Sequence, residues 1–131
     1  MPLVRISLRS GTSPEHRRAI ADGVHRALVD VANVPRDDRF QTVQEIAPGD
    51  LHFDPAYLGQ QRSDAVVFVQ ITLNQGRSVE TKRALYARIA ANLEAAAGLR
   101  KDDVLVSLVE VPRENWSFGG GVMSYPPPET S

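Results

Sequence analysis

The sequence predicts an α+β fold with an α/β-type repeat: two fused β-α-β halves forming a four-stranded sheet with two helices on one face. Three observations lead to it. The 131 residues match themselves without gaps on a shift of 65 positions, so that residues 2–46 fall on 67–111. Each half runs from an apolar, β-branched stretch into a stripe of helical period, then into a second apolar stretch. With 42% hydrophobic and 24% charged residues, the composition suits one core in a single domain spanning 1–131.

Pro2-Leu-Val-Arg-Ile-Ser-Leu8 and Val67-Phe-Val-Gln-Ile-Thr-Leu73 are the opening strands. Ser13 and Ser78 then read as N-caps whose hydroxyls accept from free helix N–H groups, with Glu15 and Glu80 favourable in the first turns. Pro14 suits the first helical position, where its missing N–H costs nothing. Ile20, Val24, Leu28 and Val31 make one helical stripe, and Leu85, Ile89, Leu93 and Ala96 the other. Pro35 and Gly98 help to end the two helices. The closing strands are 39–46 and 104–111, preceded by Asp37-Asp38 and Asp102-Asp103. Each helix is long enough to cross over between parallel strands. Two helices on one face leave the other face of the sheet, expected to be apolar, in need of another chain.

Between the halves, residues 47–64 read as a loop or short hairpin punctuated by Pro48-Gly49, Pro55 and Gly59. After the last strand, Gly119-Gly120-Gly121 is a turn and not a phosphate loop, because no helix follows it. Tyr125 and Pro126-Pro127-Pro128 belong to a flexible, extended tail over about 122–131.

With 15 basic and 16 acidic side chains the net charge is -1, so no global field draws the chain to nucleic acid or an anionic membrane. The lack of cysteine excludes disulfides, thiolate catalysis and cysteine metal sites. His16, His25 and His52 have no ligand spacing and read as ordinary, partly exposed residues, so no metal is expected. No apolar run approaches the roughly 20 residues of a membrane span, and the start lacks a charged-then-apolar leader pattern. A cytoplasmic enzyme or binding module is the resulting expectation.

An ordered set of motifs resembles the tautomerase superfamily, in particular its malonate semialdehyde decarboxylase-like branch with the 4-oxalocrotonate tautomerase-like fold. The set comprises Pro2 directly after Met1, the duplicated β-α-β unit and Val34-Pro35-Arg36-Asp37-Asp38-Arg39-Phe40-Gln41. Gly59 with Arg62-Ser63, Gly76-Arg77-Ser78 and Asn115-Trp116-Ser117-Phe118-Gly119 follow in order, so the likeness covers nearly the whole chain. The resemblance implies a homotrimer, which would cover the open sheet face, and chemistry without a metal or organic cofactor.

A proline opening a strand is a tolerated structural choice. The repeat sets Pro2 apart: Val67 stands at the matching position, and only Pro2 can become a terminal secondary amine once Met1 is removed. Such an amine titrates near neutrality; burial lowers its pKa and a carboxylate raises it, so it can act as base or acid. Asp37, Asp102 and Asp103 read as solvated loop charges. Asp38 matches the family aspartate that activates water or assists proton transfer, through a Pro-x-x-Asp-Arg-aromatic-Gln pattern carried by Pro35, Asp38, Arg39, Phe40 and Gln41.

Arg77 lies just before the second helix, where the dipole disfavours a cation by about 0.3–1 kcal/mol if exposed; its counterpart, Thr12, is neutral. A cation beside free helix N–H groups makes a carboxylate site. The best-known decarboxylase pattern carries an Arg-x-Arg pair. Asn74-Gln75-Gly76-Arg77 matches only the second arginine, and Asn74 or Gln75 can supply neutral hydrogen bonds instead. Trp116 and Phe118 alternate after the last strand and can point the same way; in the family such residues wall the pocket.

The expected function is an enzyme acting on small oxo acids, with Pro2, Asp38 and Arg77 catalytic and Asn74, Gln75, Trp116 and Phe118 binding substrate. Two chemistries stay open. One is keto–enol tautomerisation with neutral Pro2 as base. The other is decarboxylation or hydration of a 3-oxo acid, as of malonate semialdehyde, with cationic Pro2 polarising the carbonyl or forming a Schiff base with it. A reading from another class is a non-catalytic trimeric small-molecule-binding homologue, favoured if Met1 is retained, because the proline nitrogen is then an amide.

Overall fold

Strand β1 (Leu3–Arg9) alternates cleanly: Val4, Ile6 and Leu8 are buried at 2% exposure or less, whereas Leu3 and Arg5 point to the opposite, open face. Helix α1 (Pro14–Val31) follows, with Ser13 Oγ accepting from the His16 amide at 3.0 Å. Strand β2 spans Gln41–Ile46, two residues shorter at its start than the sequence suggested. The second half repeats the order as β3 (Val67–Asn74), α2 (Val79–Ala97) and β4 (Val104–Val111), with Ser78 capping α2 through the Thr81 amide at 3.1 Å. The structure, a computed structural model, describes residues 1–128, so the end of the expected tail lies outside the described residues.

The sheet order is β2-β1-β3-β4. Within each half the strands are parallel, and the central β1–β3 pair is antiparallel, with Ile6 opposite Val69. The halves are thus related by an approximate two-fold between β1 and β3. Both helices lie on one face, where Ile20, Val24, Leu28, Leu85, Ile89 and Leu93 are all fully buried against Val4, Ile6, Val69 and Ile71. Each such side chain contributes about 1.5–3 kcal/mol by leaving water. Ala96, assigned to the second stripe, is exposed; Leu99, just past the helix, is buried instead.

The helix ends obey the repeat in a way the sequence reading missed. Gly98 closes α2 in the left-handed conformation at φ 66, and its counterpart Asn33 does the same after α1 at φ 60. Asparagine tolerates that region better than other side chains, so Asn33 rather than Pro35 makes the turn. Within α1, Gly23 permits close helix crossing. A Cβ there would meet Leu93 Cδ1 at 2.8 Å, and Asn92 Nδ2 donates to the Gly23 carbonyl at 2.9 Å.

Further expectations narrow or change. Of the two readings of residues 47–64 the loop holds, with two 3₁₀ turns, Pro48–Asp50 and Tyr57–Gly59, in place of a hairpin. The open sheet face is mixed rather than apolar, since Leu3, Leu105 and Val109 are exposed beside Arg5, Ser7, Gln70 and Ser107. A shallow hollow of about 370 Å³ lies on it, lined by Arg5, Ser7, Phe68, Gln70, Leu105 and Ser107. Asp103 is no solvated loop charge, being 1% exposed and accepting from both the amide and the hydroxyl of Ser63 at 2.6 Å. Its neighbour Asp102 takes the Gln61 amide at 2.9 Å, so the pair pins the linker. Among the described residues no helix is long and apolar enough to cross a membrane.

Candidate active site

The topology brings four chain segments to one end of the sheet. Parallel β1 and β2 begin there, and β3 and β4 end there. Pro2, the Asp38 loop, the Asn74–Arg77 turn and the segment after β4 therefore meet without any long excursion. The amide of Val4 donates to the Phe40 carbonyl at 2.9 Å, tying the first strand to the loop.

Asp38 sits on a turn in which its amide donates to the Pro35 carbonyl at 3.1 Å. Its carboxylate, 16% exposed, contacts the Met1 ammonium. Burial first, and then the Arg77 cation, push that ammonium down from 8.0 to about 6. Met1 Sδ receives Asn74 Nδ2 at 3.0 Å, so methionine fills the space between Asp38 and Asn74. Pro2 is buried directly behind it.

Arg77 stands where the sequence put it, yet its electrostatic setting is different. Nε and Nη2 donate to the Ala32 carbonyl at 3.3 and 3.0 Å, and Nη1 donates to the Asn74 carbonyl at 3.1 Å. Ala32 is the C-cap of α1. The guanidinium therefore lies at the negative end of one helix dipole as well as near the positive end of the other, which offsets the expected penalty. Burial holds its pKa below the usual arginine value, with Glu110 pulling upward.

Asn74 is 7% exposed, and its Oδ1 accepts from Trp116 Nε1 at 2.7 Å. The indole donor fixes which way the amide faces: with the oxygen engaged, the NH₂ group is aimed at Met1. Trp116 and Phe118 stack at 5.1 Å and 14°, and Phe40 packs on Phe118 at 5.4 Å. With Leu3 and Ser117 these rings line a hollow of about 230 Å³.

The chain then reverses at Gly119, Gly120 and Gly121, whose φ values of 139, 71 and 68 exclude most side chains. The reversal lets the Ser124 amide reach the Trp116 carbonyl at 3.0 Å and sets Tyr125 edge-on to Phe118 at 5.9 Å. The described part of the tail thus folds back onto the aromatic wall instead of extending away.

Gln75 is the predicted site residue that stands apart. It is exposed and lines a separate cleft with Gly76, Arg113 and Tyr125. Conversely, sequence reasoning passed over His25 and Tyr125. His25 is 8% exposed, not partly open, and its Nε2 meets the Arg36 carbonyl at 2.8 Å. Its place one turn before Leu28 on the buried face of α1 was the available signal. Among the described residues no three His, Asp or Glu side chains gather as a metal-binding group.

A family profile described as tautomerase enzyme matches residues 38–119, and a second with the same description matches residues 2–61. The chain belongs to the tautomerase family. It is 38% identical over 121 residues to the probable tautomerase YusQ of Bacillus subtilis (strain 168), covering 92% of this chain and 95% of that protein. Among solved structures it is similar to a malonate semialdehyde decarboxylase inhibited by 3-bromopropiolate, at 43% identity and a TM-score of 0.88, covering 94% and 93% of the two chains. Another malonate semialdehyde decarboxylase, studied for its decarboxylase and hydratase activities, is 36% identical with a TM-score of 0.86, covering 92% and 93%. A fused 4-OT protein solved as a symmetric trimer shares the fold at 24% identity and a TM-score of 0.77, covering 93% and 95%. The resemblance drawn from the motifs to the malonate semialdehyde decarboxylase-like branch of this superfamily therefore holds.

Proposed function

We propose that this tautomerase-family chain is a cofactor-independent enzyme acting on small oxo acids, with the Pro2 amine, released by removal of Met1, as its proton-transfer group. The observation that carries this reading is the convergence of Asp38, Asn74 and Arg77 around the first residue of the chain. Loss of Met1 would open the space it fills between Asp38 and Asn74 and leave a secondary amine at its inner wall.

Each neighbour has a fitting role. Arg77 has five N–H groups, and three are engaged with backbone carbonyls. One remains on each terminal nitrogen, a pair suited to a substrate carboxylate. Asn74, turned by Trp116, directs its NH₂ group to a carbonyl or enolate oxygen, where it stands in for the missing first arginine. Asp38 orients the amine or a water molecule. The aromatic wall excludes solvent and so strengthens the ionic contact.

Burial and the Arg77 cation lower the pKa of the Met1 ammonium, and the same causes act toward the neutral form of a Pro2 amine at that site. A neutral Pro2 removes the proton beside the carbonyl and returns it to the other end of the enol system, which is tautomerisation. A second reading, decarboxylation or hydration of a 3-oxo acid of the malonate semialdehyde type, is supported by the likeness to the two solved decarboxylases; it needs the cationic amine. A pH–rate profile distinguishes them. With the base mechanism, kcat/KM rises through the Pro2 pKa and levels; with the cation mechanism, it falls through the same pKa. Profiles flat across a directly titrated Pro2 would sink both, and a lack of turnover on either substrate class would leave a binding protein.

Assembly as a homotrimer belongs to the same proposal. The exposed Leu3, Leu105 and Val109 on the open sheet face support it, as does the trimeric fused 4-OT relative. A stable monomer at micromolar concentration in sedimentation would overturn it.

A further inference from the structure

We propose that His25 is a positioning residue that holds Asp38 against the N-terminal nitrogen by donating from Nε2 to the carbonyl of Arg36. The inference rests on the proposed role of Asp38 and adds a residue that touches neither substrate nor amine. A carbonyl oxygen can only accept, so Nε2 carries the proton in this contact, and His25 is a donor in either of its charge states.

Residues 33–40 leave α1 in a left-handed turn at Asn33 and must then double back to bring Asp38 to the start of β1. Three ties hold this return to the helix, the first at its start, where the Val34 amide donates to the Leu28 carbonyl at 3.2 Å. At its far end, Gln41 Nε2 donates to the Ala21 carbonyl at 2.9 Å, while Arg39 pairs with Asp22 at 2.6 Å and donates to Gln41 Oε1 at 2.9 Å. In its middle, two residues before Asp38, the anchor is the His25–Arg36 bond at 2.8 Å. The pairs around Arg39 are exposed at the surface, whereas His25 is buried and cannot exchange its partner for bulk water at no cost. The middle tie therefore sets how closely Asp38 approaches the amine.

The charged groups facing the N-terminal nitrogen, here that of Met1, are Asp38, from the loop before β2, and Arg77, from the turn before α2. In the proposed function the same two flank the Pro2 amine that takes its place on removal of Met1. If Asp38 retreats, the amine loses the carboxylate that favours its cation and keeps the arginine that disfavours it. The Pro2 pKa then falls.

The test is titration of the Pro2 nitrogen by NMR in the Met1-processed protein, with kcat/KM measured alongside. The variants are Asp38→Asn, His25→Phe and His25→Gln. Phe keeps a ring in the buried space without the donor, His25→Leu is a second non-donor if the larger ring disturbs folding, and Gln restores an amide donor. The non-donors should lower the Pro2 pKa in the same direction as Asp38→Asn and reduce kcat/KM on the order of tenfold. Gln should recover most of both. If Asp38→Asn moves the titration and neither non-donor does, His25 is merely a packing residue and the inference fails, whatever happens to the rate. A titration that Asp38→Asn itself leaves unmoved would overturn the role given to Asp38, and that of His25 with it.

Discussion

Asp38 and Asp103 occupy matching positions of the repeat, 65 residues apart, and each faces the segment that leads into the first strand of its half. For Asp103 that segment is the linker, and Ser63 satisfies both carboxylate oxygens. For Asp38 it is the start of the chain, so the carboxylate meets an ionisable nitrogen. The same contrast appears at the other strand ends. Arg9 pairs with Asp64 of the linker at 2.8 Å, while its counterpart Asn74 faces Met1. One corner is thus closed by the linker and the other by Met1, so the matching aspartates differ in what faces them, a serine in one half and a nitrogen that can carry charge in the other.

The strongest test of this contrast is at the strand starts themselves. Pro2→Ala should lower kcat/KM by at least about a hundredfold, the scale of a displaced proton-transfer group, whereas Val67→Ala should leave it close to wild type per folded molecule. Steady-state kinetics, with intact mass confirming removal of Met1, decides the matter.

The aspartates should respond in opposite currencies. Asp103→Ala removes two short hydrogen bonds to a buried carboxylate and should destabilise the fold by roughly 3 kcal/mol in urea titration, with activity per folded molecule retained. Asp38→Ala should leave the midpoint nearly unmoved and impair turnover. A comparable stability loss at both sites would erase the distinction.

Arg77→Ala should weaken carboxylate substrates by about 1.5–3 kcal/mol, as for a charged hydrogen bond, while ester analogues change far less. Thr12→Ala, at the equivalent turn, should affect neither. Equal losses for acid and ester would make Arg77 a purely structural brace between Ala32 and Asn74.

The smallest difference concerns features that the halves share. Arg17–Glu45 and Lys82–Glu110 are matching ion pairs, at 3.3 and 2.5 Å. The hydrogen bond from Lys82 is the main cause holding the Glu110 carboxyl below its usual range. A depressed folded-state pKa gives a stabilisation fully present above the unfolded value near 4.5 and lost as pH falls through the lower, folded value. Melting temperatures of wild type and Glu110→Gln should therefore differ slightly near neutrality and converge in acid. A gap that persists at pH 2–3 would mean that the charge is not its source.

The repeat made the fold legible because strand alternation, serine caps and helical stripes are local signals that each half states separately. Asn33 escaped because its left-handed turn does the work of glycine without being glycine, and Ala96 because one methyl group hardly marks a face. At the site, Arg77 and Asn74 stood out through a break in the repeat and a family motif. Their hydrogen bonds did not, since Ala32 and Trp116 are remote in sequence and only the assembled sheet end brings them near. Gln75, next to Asn74 in the chain, faces another cleft because successive residues at a strand end diverge.

The crossing at Gly23 makes α1 a lever with its fulcrum on α2. Beyond that point, the same helix presents His25 to the Asp38 loop and the Ala32 carbonyl to Arg77. A methyl group at position 23 would press on Leu93, which is fully buried and has little freedom to yield. Displacement there would be transmitted along α1 to both charged groups together, so the placing of Asp38 and Arg77 depends partly on the helix crossing and on the absence of a single carbon atom there.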